Sequence, residues 1–205
     1  TPYWLWLVLA IPAFFIIHDA VTSTNPRIFH ILVHPSGETS ARLLIVTLLA
    51  TPLSLLFQGR RWPRWLVRNR RYFGVAAFAY AALHTLFYLL DKGTLDRVVG
   101  ELARLYIWTG WLAFLIFIPL AATSMNYAVR KLGRRWKPLQ RWVYAAAVLT
   151  LVHWAALHGW KEWPPALIHF APLIALTLYR LWHRRRRHGG TPAAQGTTPI
   201  TGGAD

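Results

Sequence analysis

Apolar residues fall in six long blocks, at about residues 3–20, 41–58, 71–90, 103–122, 141–159 and 164–182, separated by short polar or charged stretches. Each block holds 18–20 residues, enough as a helix to cross a hydrocarbon core of about 30 Å. The pattern predicts an all-α membrane protein, a six-helix transmembrane bundle filling residues 1–188. Pro12, Pro52, Pro119 and Pro172 lie inside the blocks or near their ends, where membrane helices accommodate them as kinks. The first block has no basic leading region and no small-residue cleavage site, so it is expected to be a retained helix. Residues 189–205 carry Gly, Thr, Pro and Ala without apolar periodicity, which predicts a disordered tail.

Charge gives this bundle a direction. The net charge of +16 would suit a nucleic-acid binder, but the basic residues cluster in the short connections between apolar blocks. Nucleic acid is therefore not an expected partner; the lipid bilayer is. With six spans, 17 of the 23 basic residues share one face: Arg60 to Arg71, Arg130 to Arg141, and Arg180 with Arg184 to Arg187. The opposite face holds Asp19, Glu38, Asp91, Asp96, Glu101 and Glu162, six of the seven acids. Basic loops stay inside, so both termini are expected in the cytoplasm. The chain has no cysteine, which excludes disulfides, thiolate metal sites, Fe–S clusters and thioether-linked haem. No GxGxxG or phosphate-loop pattern occurs, so no Rossmann-type nucleotide module is expected.

Histidine carries the candidate chemistry. His84 stands 13 residues past Arg71 and His153 stands 12 past Arg141. Both imidazoles then lie roughly 18–20 Å from the same face, in the outer half of the membrane. Ionisable groups at such depth are expensive and mark functional sites. Two at one level, without an intramembrane carboxylate beside them, point to axial ligands of a metal or haem. Gly74, Ala77, Tyr80 and Ala81 on helix three and Ala146, Thr150 and Ala156 on helix five are expected to line the pocket. His169, five residues into helix six, is a reserve ligand. His18, His30, His34 and His158 suit interfacial positions, and His183 and His188 a solvated basic end.

The stretches RRYFGVAAFAYAALHTLFYLL, HPSGETSARLLIVTLLATPL and TSMNYAVRKLGRRWKPLQRWVYAAAVLTLVHW resemble the MsrQ (YedZ) family. That family comprises haem-binding membrane subunits of the bacterial methionine sulfoxide reductase system, within the ferric-reductase-like transmembrane group. The resemblance covers about residues 34–182. It implies a haem b protein of the bacterial inner membrane that passes electrons to a periplasmic molybdopterin-containing reductase subunit. The family's haem histidines match His84 and His153, and its H-x-[ST]-G stretch matches His34 to Gly37. A flavin mononucleotide is also associated with the family, without residues to assign here. Where the family commonly has a further histidine before helix five, this chain has Gln140, so one haem is expected, at the outer level only. A membrane quinol or a cytosolic flavin reductase then competes for the role of donor.

Three functions fit these observations. The first is an electron-transfer subunit with no catalytic residues of its own. The second is a self-contained transmembrane reductase for ferric iron or another external acceptor. The third is a non-redox membrane protein on the same scaffold. In the first, residues 21–40 and 91–103 would dock the partner.

Overall fold

The computed structural model describes residues 3–188, so the tail predicted at 189–205 lies outside the described residues. The described residues are helical without a strand. In chain order the helices are α1 (Tyr3–Thr22), α2 (Ile28–Leu56), α3 (Arg61–Lys92), α4 (Leu95–Glu101), α5 (Leu105–Ala122), α6 (Asn126–Leu132), α7 (Trp136–Gln140), α8 (Val143–Ala155), α9 (Leu157–Trp160) and α10 (Trp163–His188). A short 3-10 turn, Gly133–Arg135, joins α6 to α7.

Helices α1, α2, α3, α5 and α10 are long and apolar enough to cross a membrane, whereas α8 is a shorter apolar helix of 13 residues. The α2–α3 pair is the most extensive in the fold and α5–α8 the next; α10 packs on α2 and α8, and α1 on α2 and α3. Small side chains let these backbones close up, as expected where lipid gives no hydrophobic push between helices. Ala77, Ala146 and Ala166 are almost wholly buried, beside Leu44, Phe117 and Phe170. Large apolar side chains such as Leu7, Phe14, Val148 and Ile168 face outward instead, which lipid tolerates and water would not.

Two expected loops are helical. Residues 28–40, read as part of the external loop 21–40, form the first turns of α2. Their polar groups bond back to the helix, Ser36 Oγ donating to the Leu32 carbonyl at 2.7 Å and Thr39 Oγ1 to Pro35 at 2.7 Å. The arginine run 61–71 likewise forms the start of α3. Arginine is a good helix former and Pro63 is tolerated in a first turn. The fifth block breaks early: α8 stops at Ala155, before the predicted boundary at 159, and beyond it His158, Gly159 and Trp160 turn left-handed with φ of 52°, 70° and 69°.

Tyr80 has a different duty from the one its sequence position suggested. Its hydroxyl accepts from the Ala13 N–H at 2.8 Å and donates to the Leu9 carbonyl at 2.7 Å. Those two groups are four residues apart, the pair that an α-helix joins directly. Beside Pro12, the tyrosine hydroxyl stands within the ladder of α1 and completes it from α3.

Candidate functional site

Four helices, α2, α3, α5 and α8, surround a cavity of about 680 Å³, within the size range of small-molecule and cofactor sites. His84 reaches it from α3 and His153 from α8. Their ring centroids are 6.0 Å apart with the planes at 90°. Phe114 and Phe117 line the apolar interior, and His30, Asp91, Lys92, Glu101 and Arg104 line a polar end.

Each histidine is held by the helix facing it. His84 Nδ1 donates to the Val33 carbonyl of α2 at 2.8 Å. His153 Nδ1 donates to the Tyr106 carbonyl of α5. In each case a glycine follows four residues after the accepting carbonyl. A Cβ on Gly37 would lie 2.6 Å from His84 Nδ1, and a Cβ on Gly110 2.7 Å from His153 Nδ1. A hydroxyl residue precedes each glycine. Ser36 Oγ, which donates to Leu32 at 2.7 Å, also lies 3.0 Å from the Val33 carbonyl, and Thr109 Oγ1, which donates to Leu105 at 2.7 Å, lies 3.2 Å from the Tyr106 carbonyl. The segments Val33-His34-Pro35-Ser36-Gly37 and Tyr106-Ile107-Trp108-Thr109-Gly110 thus form one cradle twice.

This arrangement can bind a metal centre through both rings. With Nδ1 donating, each Nε2 carries the lone pair, and a metal-bound imidazole typically gives its other N–H to a carbonyl. Two metal–nitrogen bonds of about 2.0–2.1 Å, with about 1.1 Å from each nitrogen to its ring centre, separate the centroids by roughly 6.2–6.4 Å. The observed 6.0 Å agrees within a few tenths of an ångström. A close aromatic pair would show a similar distance; the carbonyl anchors and the cavity are the features that suit ligation. Among the described residues no cluster of three or more His, Cys, Asp or Glu could hold a bare ion. Two imidazoles would suit a metal whose remaining ligands come from a macrocycle.

The profile of the ferric reductase like transmembrane component family matches residues 36–151. A protein from Ralstonia nicotianae is 35% identical over 204 residues, covering 96% of this chain and 91% of its own. One from Brucella ovis is 38% identical over 152 residues, covering 72% of this chain and 66% of its own. Both are named "Protein-methionine-sulfoxide reductase heme-binding subunit MsrQ". The chain belongs to the MsrQ family of ferric-reductase-like membrane components. The family match begins at Ser36, includes Gly37, His84 and Gly110, and ends two residues before His153.

The remaining expected residues divide between this cavity and other places. Ala81 and Thr150 line it. Gly74 and Ala77 line a second cavity of about 290 Å³ further along the same four helices. Ala146 and Ala156 are buried in helix packing, and Tyr80 faces α1. His34 and His158 border the first cavity while remaining exposed. His169 does not line it: its Nδ1 donates to the Pro165 carbonyl at 2.8 Å, and its Nε2 lies 3.4 Å from Arg42 and 3.8 Å from Glu38. Gln140 lines the second cavity and donates to the Leu120 carbonyl at 3.0 Å and to Thr123 at 3.1 Å.

Gly110, Thr109 and Tyr106 were missed in the sequence. The signal was present as a repeat, an accepting residue followed three and four positions later by a hydroxyl residue and glycine, in VHPSG and YIWTG.

Proposed function

We propose that the chain is the haem b membrane subunit of a protein-methionine-sulfoxide reductase system, with His84 and His153 as the axial ligands. The observation that carries this is the pair of imidazoles 6.0 Å apart, each anchored through Nδ1 to a carbonyl of a facing helix. A haem held by His84 and His153 would supply one-electron chemistry suited to electron transfer. The protein's own contribution is orientation and dryness. The Val33 and Tyr106 carbonyls fix the tautomer and raise ligand basicity. Gly37 and Gly110 let each imidazole lie against a helix backbone. Phe114 and Phe117 keep water out.

The polar end of the cavity lies among α4 and the ends of α3 and α2, on the face that carries the acids. A periplasmic molybdopterin-containing catalytic subunit would dock there and receive electrons. The six-span bundle, with α8 as the fifth crossing and both termini in the cytoplasm of the inner membrane, places the basic connections inside. Electrons arrive from a membrane quinol or from flavin chemistry on that inner side, FMN included.

The test is the oxidised and dithionite-reduced visible spectrum of the detergent-purified chain, with pyridine haemochrome quantitation. A low-spin six-coordinate b-type spectrum at about one haem per chain is expected. Absence of haem after expression with ample haem supply would remove the electron-carrier reading. Rapid reduction by a quinol analogue, compared with NADH and a flavin reductase, then separates the donors.

A further inference from the structure

The second cavity contains no histidine among its lining residues and is not used by the proposed electron carrier. Its lining brings four cations, Arg70, Arg71, Lys137 and Arg141, to walls of Leu44, Leu48, Phe78 and Val143. None of these cations takes part in an ion pair among the described residues. Arg70 donates only to the Thr51 hydroxyl at 3.3 Å, and Arg71 to the Asn126 side-chain oxygen. The neutral polar groups of the lining are already engaged within the protein, Thr47 with the Leu43 carbonyl, Ser124 with Leu120, and Gln140 with Leu120 and Thr123. What the cavity leaves for a ligand is positive charge and hydrocarbon. Arg71 is half-buried while Arg70, Lys137 and Arg141 are exposed; lining one cavity without an ion-pair partner among the described residues, these like charges favour an anion there, water screening part of the effect.

We infer that this cavity binds one anionic phospholipid, its phosphate among Arg70, Arg71, Lys137 and Arg141 and an acyl chain along Leu44, Leu48, Phe78 and Val143. Basic pockets between spanning helices on the cytoplasmic side are where anionic lipid head groups bind. A neutral quinol would leave the four cations unmatched. A free phosphate would leave the apolar walls uncovered. The phosphate is the chemistry that a lipid head group, inorganic phosphate and FMN share, so the experiment must separate them.

Native mass spectrometry of the detergent-purified full chain would be run with added phosphatidylglycerol, phosphatidylcholine, inorganic phosphate or FMN. One phosphatidylglycerol is expected to bind per chain and to survive activation that strips phosphatidylcholine. The double variant Arg71→Gln/Arg141→Gln should bind it roughly 30-fold more weakly, the effect of two lost charges. Arg71→Lys/Arg141→Lys should recover most of that loss and so exclude misfolding. Arg61→Gln/Arg68→Gln, on the same basic face but outside the cavity, should change binding less than threefold. Equal binding of the two lipids, an equal loss in the Arg61/Arg68 variant, or displacement of phosphatidylglycerol by inorganic phosphate or FMN would each overturn the assignment. Haem content is not the readout, so failure here is separate from failure of the electron-carrier proposal.

Discussion

Gly37 and Gly110 occupy equivalent places against two different histidines: each leaves the space in which an imidazole lies on a helix backbone, four residues after the carbonyl that holds it. Replacing glycine by alanine inside a helix ordinarily favours the helix by about 1 kcal/mol. At these two positions the added methyl would stand 2.6 and 2.7 Å from Nδ1, so the ring must leave its carbonyl. Gly37→Ala and Gly110→Ala should each lower haem retention severalfold and shift the low-spin spectrum. Gly74→Ala, whose Cβ would meet Thr47 at 3.6 Å, should leave both unchanged. Haem-to-chain ratios of the three purified variants decide the matter, and equal ratios would sink it.

The histidines themselves give a sharper separation. His84→Ala or His153→Ala should abolish haem retention, since the other histidines that line the cavity, His30, His34 and His158, are exposed. His169→Ala should retain haem, because that ring is committed to Pro165, Arg42 and Glu38. A normal six-coordinate spectrum in both core variants would reject the ligand assignment. Loss of haem in His169→Ala alone would transfer the role to that residue.

The apolar blocks and the pairing of His84 with His153 at one level were legible because hydropathy and helical rise are properties of the chain alone. Helix ends were less so: residues 28–40 and 61–71 interleave polar and charged positions with apolar ones, yet Ser36 and Thr39 satisfy their hydroxyls on their own helix and arginine has good helix propensity. The break at His158 depends on a left-handed turn that one glycine flanked by His and Trp does not announce. Alanine and glycine near a histidine could not be assigned to pocket or packing without knowing how each helix is rotated. Ala81 therefore lines the first cavity, whereas Gly74 and Ala77 line the second. Tyr80 is a tertiary device that only the approach of α1 creates.

Tyr80→Phe removes the hydroxyl between Leu9 and Ala13 but leaves the ring packing. A buried carbonyl and a buried N–H then lose their partner, a cost of about 1–3 kcal/mol for an unsatisfied group. The thermal midpoint in detergent should fall clearly. Tyr72→Phe, whose ring packs on Trp6 at 5.7 Å, should barely move it. Equal midpoints for Tyr80→Phe and the parent would mean that α1 restores its own hydrogen bond.

Glu101 gives the polar end of the first cavity a pH dependence. The hydrogen bond from Lys92 holds its carboxyl below the usual carboxylate value, aided by the Lys92 charge, Tyr88 and Arg104 against the opposing effect of burial. A carboxylate with a depressed folded value contributes stability above its unfolded value, and that contribution is lost as pH falls through the folded one. The parent should therefore lose more thermal stability than Glu101→Gln between about pH 5 and pH 3. Above that window the variant should be the less stable of the two. Parallel melting curves across the whole range would rule out this contribution.

The absence of cysteine from the chain allows a direct test of whether α8 completes a sixth crossing. Its 13 residues rise only about 20 Å, short of a core of about 30 Å, so α7 and the turn after Ala155 must contribute. Arg134→Cys, Asp96→Cys and Lys161→Cys place single thiols on exposed residues before α8, at α4 and beyond α9. With six spans, a membrane-impermeant maleimide should label positions 96 and 161 in intact spheroplasts and position 134 only after lysis. If position 161 labels together with 134, α8 does not cross. His153 would then be carried by a re-entrant segment, and the basic C-terminal end would sit outside, against the charge rule that orients the rest of the bundle.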